Sequence, residues 1–124
     1  MKKIIVVDDF KDFADVVRDY IKGTTKQEVL AFYNPKKVLE YLENNKDIDI
    51  LISDYEMPGM NGFELAKKVI EIFPNIKIII WSGHDKSTLK NENENYNLNV
   101  KFLSKSDCNE VVEYIIATRS DLNW

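Results

Sequence analysis

The chain has 124 residues, 44% apolar and 31% charged, the make-up of one globular domain with an ordinary core. Seventeen basic against 21 acidic side chains leave a net charge of −4, which speaks against a dedicated nucleic-acid binder. A single cysteine, Cys108, excludes an internal disulfide and an all-cysteine zinc site, and no apolar run nears the ~18 residues of a membrane span. The run after Lys2-Lys3 is too short for a signal peptide, so one soluble, cytoplasmic domain over residues 1–124 is expected.

Taken in order, Ile4–Val7 is the first short apolar run and predicts a strand. Phe10, Phe13, Val16, Val17, Tyr20 and Ile21 follow at helical spacing, with Gly23 as a stop. A second strand is expected at Val29–Phe32, then Asn34-Pro35 as cap and first-turn proline for a helix striped by Val38, Leu39, Tyr41 and Leu42. Ile48–Ile52 predicts the third strand. Phe63, Leu65, Ala66, Val69, Ile70 and Phe73 stripe a third helix, which Pro74 ends. After a fourth strand at Ile76–Trp81, the segment Asp85–Asn99 holds five asparagines and few apolar anchors, so its helix should be short or frayed. Val100–Leu103 predicts the fifth strand, and Asp107 with Glu110 has capping-box spacing before Val111, Val112, Ile115 and Ile116. The first, third and fourth runs are nearly continuous, as in strands buried on both faces. Five β-α units in alternation predict an α/β fold: a doubly wound, five-stranded parallel sheet with right-handed crossovers, its helices in layers above and below.

The informative residues stand at the carboxyl ends of these strands. The first ends in Asp8-Asp9, the third runs into Asp54, the fourth into Ser82 and the fifth into Lys105. In an open α/β sheet, ligands bind beyond those ends where the strand order reverses; an order of 2-1-3-4-5 makes the first and third strands neighbours. Asp8, Asp9 and Asp54 then converge. Carboxylates so close repel one another unless a cation joins them, and hard oxygen ligands suit magnesium, with manganese as a second choice. The competing reading is that these are helix-capping acids. Strands lie about 4.8 Å apart, so the Ser82 hydroxyl stands one spacing from Asp54, and only a side chain as long as Lys105 could reach back across two. A carboxylate nucleophile, a divalent cation, an ammonium and a hydroxyl are what phosphoryl transfer to aspartate requires.

The sequence resembles the receiver domain of bacterial two-component response regulators, in particular the chemotaxis response regulator. The carriers are Val7-Asp8-Asp9-Phe10, the run Ser53-Asp54-Tyr55-Glu56-Met57-Pro58-Gly59-Met60-Asn61-Gly62, Ser82-Gly83, and Phe102 three residues before Lys105. The resemblance covers essentially the whole chain and implies a flavodoxin-like fold. It implies Asp54 as phosphoacceptor, magnesium held by Asp9, Asp54 and the backbone carbonyl of Glu56 with Asp8 acting through water, and Ser82 and Lys105 as phosphoryl-binding groups. Ser82 and Phe102 would be the switch pair. Such a domain is a signalling module, not a turnover enzyme. It takes phosphate from a histidine kinase or histidine phosphotransfer protein and changes a surface read by a downstream protein or an attached output domain, as a monomer or a phosphorylation-linked dimer.

The chain departs from the family pattern where Ser106 stands in place of the usual proline after the lysine, so a trans peptide or a strained loop is expected. Tyr96-Asn97-Leu98-Asn99 replaces the Gly-Ala pair common before the fifth strand, and His84 reads as a loop residue and Cys108 as a packing residue. Three other functions compete. A small aspartyl-phosphate phosphohydrolase would want a second aspartate where Glu56 stands; a flavin binder of the same topology would not place Asp8-Asp9 where its phosphate loop lies; and the chain could be the receiver part of a longer regulator with a DNA-binding or enzymatic output.

Overall fold

In a computed structural model of the chain, residues 2–83, 86–106 and 108–121 are described. Five strands, β1 (Lys3–Val7), β2 (Val29–Phe32), β3 (Ile48–Asp54), β4 (Lys77–Ser82) and β5 (Lys101–Ser104), pair in parallel in the order β2-β1-β3-β4-β5. Helices α1 (Lys11–Thr25), α2 (Pro35–Asn44), α3 (Gly62–Ile72), α4 (Lys86–Asn93) and α5 (Cys108–Asp121) fill the connections. The central strands β1, β3 and β4 are buried on both sides, so successive residues divide between two cores. Ile5, Val7, Leu51, Ile78 and Ile80 pack with Val38 and Leu42 of α2, Phe63, Ala66 and Val69 of α3, and Leu89 of α4. Ile4, Val6, Ile50, Ile52, Ile79, Trp81 and Leu103 pack on the opposite side with Val17 and Ile21 of α1 and Val111, Val112 and Ile115 of α5. This is the three-layer, flavodoxin-like arrangement expected from the β-α alternation.

Local chemistry sets the element ends. The Asn34 side chain accepts from the Lys36 amide at 2.8 Å ahead of Pro35, as its position suggested. At α3, Asn61 and Glu64 form a reciprocal capping box, with Glu64 N to Asn61 Oδ1 at 2.9 Å and Asn61 N to Glu64 Oε1 at 3.2 Å. The short helix expected in the asparagine-rich stretch is α4, of eight residues. Beyond it the chain is tied back: Asn93 Nδ2 donates to the Leu98 carbonyl at 2.9 Å and the Leu98 amide donates to Asn93 Oδ1 at 3.0 Å.

Two expectations need correction. Helix α1 does not stop at Gly23 but runs to Thr25, and Lys26, at φ 61°, caps it through its amide on the Lys22 carbonyl. Its buried face is Ala14, Val17 and Ile21 with Phe13 half-buried, whereas Phe10 (65% exposed) and Val16 (64%) face solvent. Phe10 precedes the first turn in extended backbone, and Val16 lies about 100° around the helix from Val17, off the core face. The same drift leaves Ile116 of α5 exposed. The Asp107 cap, His84 and the packing of Cys108 lie outside the described residues.

Candidate functional site

The alternation that splits the cores also assembles the site. Along β1, Ile4 and Val6 face α1 and α5, and Asp8 is next in that series; along β3 the series is Ile50, Ile52, Asp54; past β5 it is Leu103, Lys105. The three polar residues continue apolar rows beyond the point where helices cover them, so they converge at the carboxyl ends of neighbouring strands. One carboxylate oxygen from each of Asp8, Asp9 and Asp54 lies within 4.8 Å of the others, with Asp8 and Asp54 buried and Asp9 exposed. Lys105 reaches back as its length allows: its Nζ is 2.8 Å from Asp8 Oδ2 and 2.9 Å from Asp54 Oδ1. The other Asp8 oxygen accepts from the Phe10 amide at 2.9 Å. Beneath the ammonium is an aromatic floor, the Phe13 ring with its centroid 4.9 Å from Nζ, backed by Trp81 at 5.3 Å between rings.

Burial pushes the Asp54 carboxyl up to about 6, with Asp8 and Asp9 adding repulsion and Lys105 opposing both. For Lys105, burial works to lower its pKa, but hydrogen bonds to Asp8 and Asp54 outweigh that and hold it above the ordinary lysine value. The cluster thus carries more negative charge than one ammonium neutralises. Its donor set is all hard oxygen and accessible from Asp9, which fits a divalent cation such as magnesium.

The remaining predicted residues lie around this centre. Ser82, buried at the end of β4, stands one residue beyond Trp81, the register partner of Asp54, and its carbonyl accepts from the Lys105 amide at 3.0 Å. Glu56 lies in the β3–α3 loop, which turns at Gly59 with φ +84°. Phe102 is not at the acidic centre. It packs half-buried against Phe63, ring centroids 6.1 Å apart, on the α3 side of the sheet that Ile78 and Ile80 also face. Among the described residues no peptide bond is cis, so Lys105-Ser106 takes the trans alternative.

The packing roles of Gly62 and Phe13 are not visible in the sequence. A Cβ at Gly62 would sit 2.5 Å from the Asp54 carbonyl oxygen, so glycine lets α3 start directly against the strand end. Phe13 stands in an apolar stripe at helical spacing, which points only to core packing, yet in the first turn of α1 it meets Lys105.

Fold and site together define a doubly wound α/β domain with an acidic, lysine-bridged centre at the carboxyl ends of its middle strands. The model of the response regulator receiver domain matches residues 4–116, and the chain belongs to that family, the receiver domains of two-component response regulators. It is 39% identical over 83 residues to the putative two-component response regulator ARR13 of Arabidopsis thaliana, covering 64% of this chain and 14% of the plant protein. A chemotaxis protein CheY homolog of Campylobacter jejuni is 34% identical over 67 residues, 54% of this chain and 52% of that protein. The chain thus matches only about half or less of the length of these relatives. The crystal structure of a response regulator receiver domain protein from Clostridium thermocellum superposes with a TM-score of 0.81 over 100% of both chains at 23% identity, a likeness of fold.

Proposed function

We propose that Asp54 is the phosphoacceptor of a two-component phosphorelay, charged by a phosphohistidine on a sensor kinase or phosphotransfer protein in the cytoplasm. The observation that carries this reading is the Lys105 ammonium bridging Asp8 and Asp54 at 2.8 and 2.9 Å beside the exposed Asp9. Asp9, Asp54 and the Glu56 carbonyl would hold magnesium, or manganese, with Asp8 acting through water. When bound, the cation supplies positive charge against the phosphoryl oxygens. An Asp54 carboxylate oxygen attacks phosphorus in line; the new P–O bond forms as the P–N bond breaks, and the histidine nitrogen keeps that electron pair and leaves as neutral imidazole after taking a proton. Lys105 moves from the Asp54 oxygen to a phosphoryl oxygen, and the Ser82 hydroxyl donates to another. Phe102 then turns inward, altering the face formed by α4, β5 and α5. That face would be read by a separate target or by an output domain in a longer protein, such as the regulators of which the matched segment is only a part.

Acetyl phosphate with magnesium should add one phosphoryl group by intact-mass spectrometry, and Asp54→Ala should remove it; an adduct persisting in Asp54→Ala places the acceptor elsewhere. Thermal melts supply the metal arm. Magnesium should raise the melting temperature of the wild type and much less that of Asp9→Asn, because a ligand that prefers the assembled site stabilises it by linkage. Identical responses would remove Asp9 from the metal site.

A further inference from the structure

Lys105 makes three contacts that hold its ammonium: Asp8 Oδ2 at 2.8 Å, Asp54 Oδ1 at 2.9 Å and the Phe13 ring at 4.9 Å. We propose that Phe13 is a positioning residue for Lys105, its ring face keeping the ammonium over the site while the carboxylates change partners. The inference rests on the reading of Asp54 as phosphoacceptor.

Two of the three contacts depend on the charge state of the site. Once Asp54 carries a phosphoryl group as an acyl phosphate, its side chain is no longer a free carboxylate, and a bound cation competes for the negative field of Asp8. The ring quadrupole does not change in either event. Lys105 needs such a hold because it reaches in from beyond β5, two strands from β3, on a flexible four-carbon stem. Without a fixed contact, release by the carboxylates would let the ammonium swing to solvent.

The ring can serve because it cannot easily move. Phe13 lies in the first turn of α1, and its outer face meets Lys105 while its neighbour is the indole of Trp81, 5.3 Å away and tilted by 49°. Trp81 is fully buried and is the register partner of Asp54. Its Nε1 has no hydrogen-bond partner among the described residues, so shape, not a polar contact, keeps the indole in place. An indole retained at the cost of an unpaired buried donor is consistent with its serving as the backstop of Phe13. The floor therefore runs from a strand residue beside the acceptor, through one helix residue, to the ammonium.

The test uses the 124-residue chain with Phe13→Leu, which keeps apolar volume but removes the ring, and Phe13→Tyr, which restores it. In the wild type, the Lys105 ε-methylene protons should be shifted upfield by the ring current, and the shift should persist with magnesium and with magnesium plus beryllofluoride, a phosphoryl mimic. Phe13→Leu should lose that shift and slow phosphorylation by acetyl phosphate about tenfold, and Phe13→Tyr should return within about twofold of wild type. Magnesium affinity, read from the melting shift, should not fall in Phe13→Leu, because the metal-holding carboxylates are untouched. Random-coil Lys105 shifts in the wild type, wild-type phosphorylation in Phe13→Leu, or Phe13→Tyr as slow as Phe13→Leu would each overturn the proposal. A wild type that shows the ring-current shift but takes no phosphoryl group would instead sink the acceptor reading and leave the contact standing.

Discussion

At neutral pH Asp54 is ionised in a place that disfavours charge. Its carboxyl is raised from 3.8 to about 6, chiefly by burial and next by the neighbouring acids, despite Lys105. The folded chain therefore binds this proton more tightly than the unfolded chain does. Between about pH 4 and 6 folding stability should fall as pH rises, with the loss complete above pH 6 and absent below 3.8. Asp54→Asn should remove that slope and stabilise the metal-free domain at pH 7 by about 1–3 kcal/mol, the order expected from a shift of this size. Saturating magnesium should flatten the same slope in the wild type. Urea titrations from pH 3.5 to 8 would check it, and an Asp54→Asn protein less stable than wild type at pH 7 would show that the Lys105 ion pair outweighs the burial cost. The ionised Asp54 side chain is thus destabilising in the free domain, and a ligand that offsets its charge would shift the state of the domain.

Among the elements, α3 starts directly against the strand end that carries Asp54. Its first residue, Gly62, donates to the Tyr55 carbonyl at 2.8 Å, and a Cβ there would meet the Asp54 carbonyl oxygen at 2.5 Å. The Ser53 hydroxyl, which donates to that same oxygen at 2.9 Å, leaves no room for the helix to slide. Gly62→Ala should cost about 1–3 kcal/mol by forcing the strand end aside, and should also slow phosphorylation of Asp54. Gly23 is the contrast: nothing lies within 4 Å of its missing Cβ and it sits inside α1. Gly23→Ala should stabilise by about 0.5–1 kcal/mol with phosphorylation unchanged. Equal effects at the two glycines, in denaturant melts, would contradict the close approach of α3 to β3.

Across the whole molecule, the acidic site lies on the α1 and α5 side of the sheet and Phe102 with α4 on the other, joined through β4 and β5. Trp81 and Leu103 face the core under α1 and α5, while Phe102 faces Phe63, which also stacks on Tyr96 at 5.2 Å. A Phe102 rotation would therefore disturb the segment tied by Asn93 to Leu98, where Asn97 takes φ 52°. With magnesium and beryllofluoride, amide exchange over residues 91–103 should slow, because the loop borders the aromatic that moves. Unchanged exchange there alongside bound beryllofluoride would mean that the domain signals through another face, with α1 the next candidate.

The five strands, their parallel order and the acidic pair with Asp54 were legible from the chain alone. Two-sided burial leaves continuous apolar runs, and the polar residues Asp8, Asp54 and Lys105 stand where such runs end. The Asn34 cap ahead of Pro35 was equally local, a pair of adjacent residues with its own chemistry. The exposed side of α1 was not legible, because Val16 is as apolar as Val17, and only the angle at which the helix lies on the sheet selects between them. Nor could the chain say that Phe13 meets Lys105 or that α3 presses on Asp54. Those contacts join residues 92 and 8 positions apart, and their distances follow from how helices settle on a twisted sheet, which no spacing along the sequence encodes.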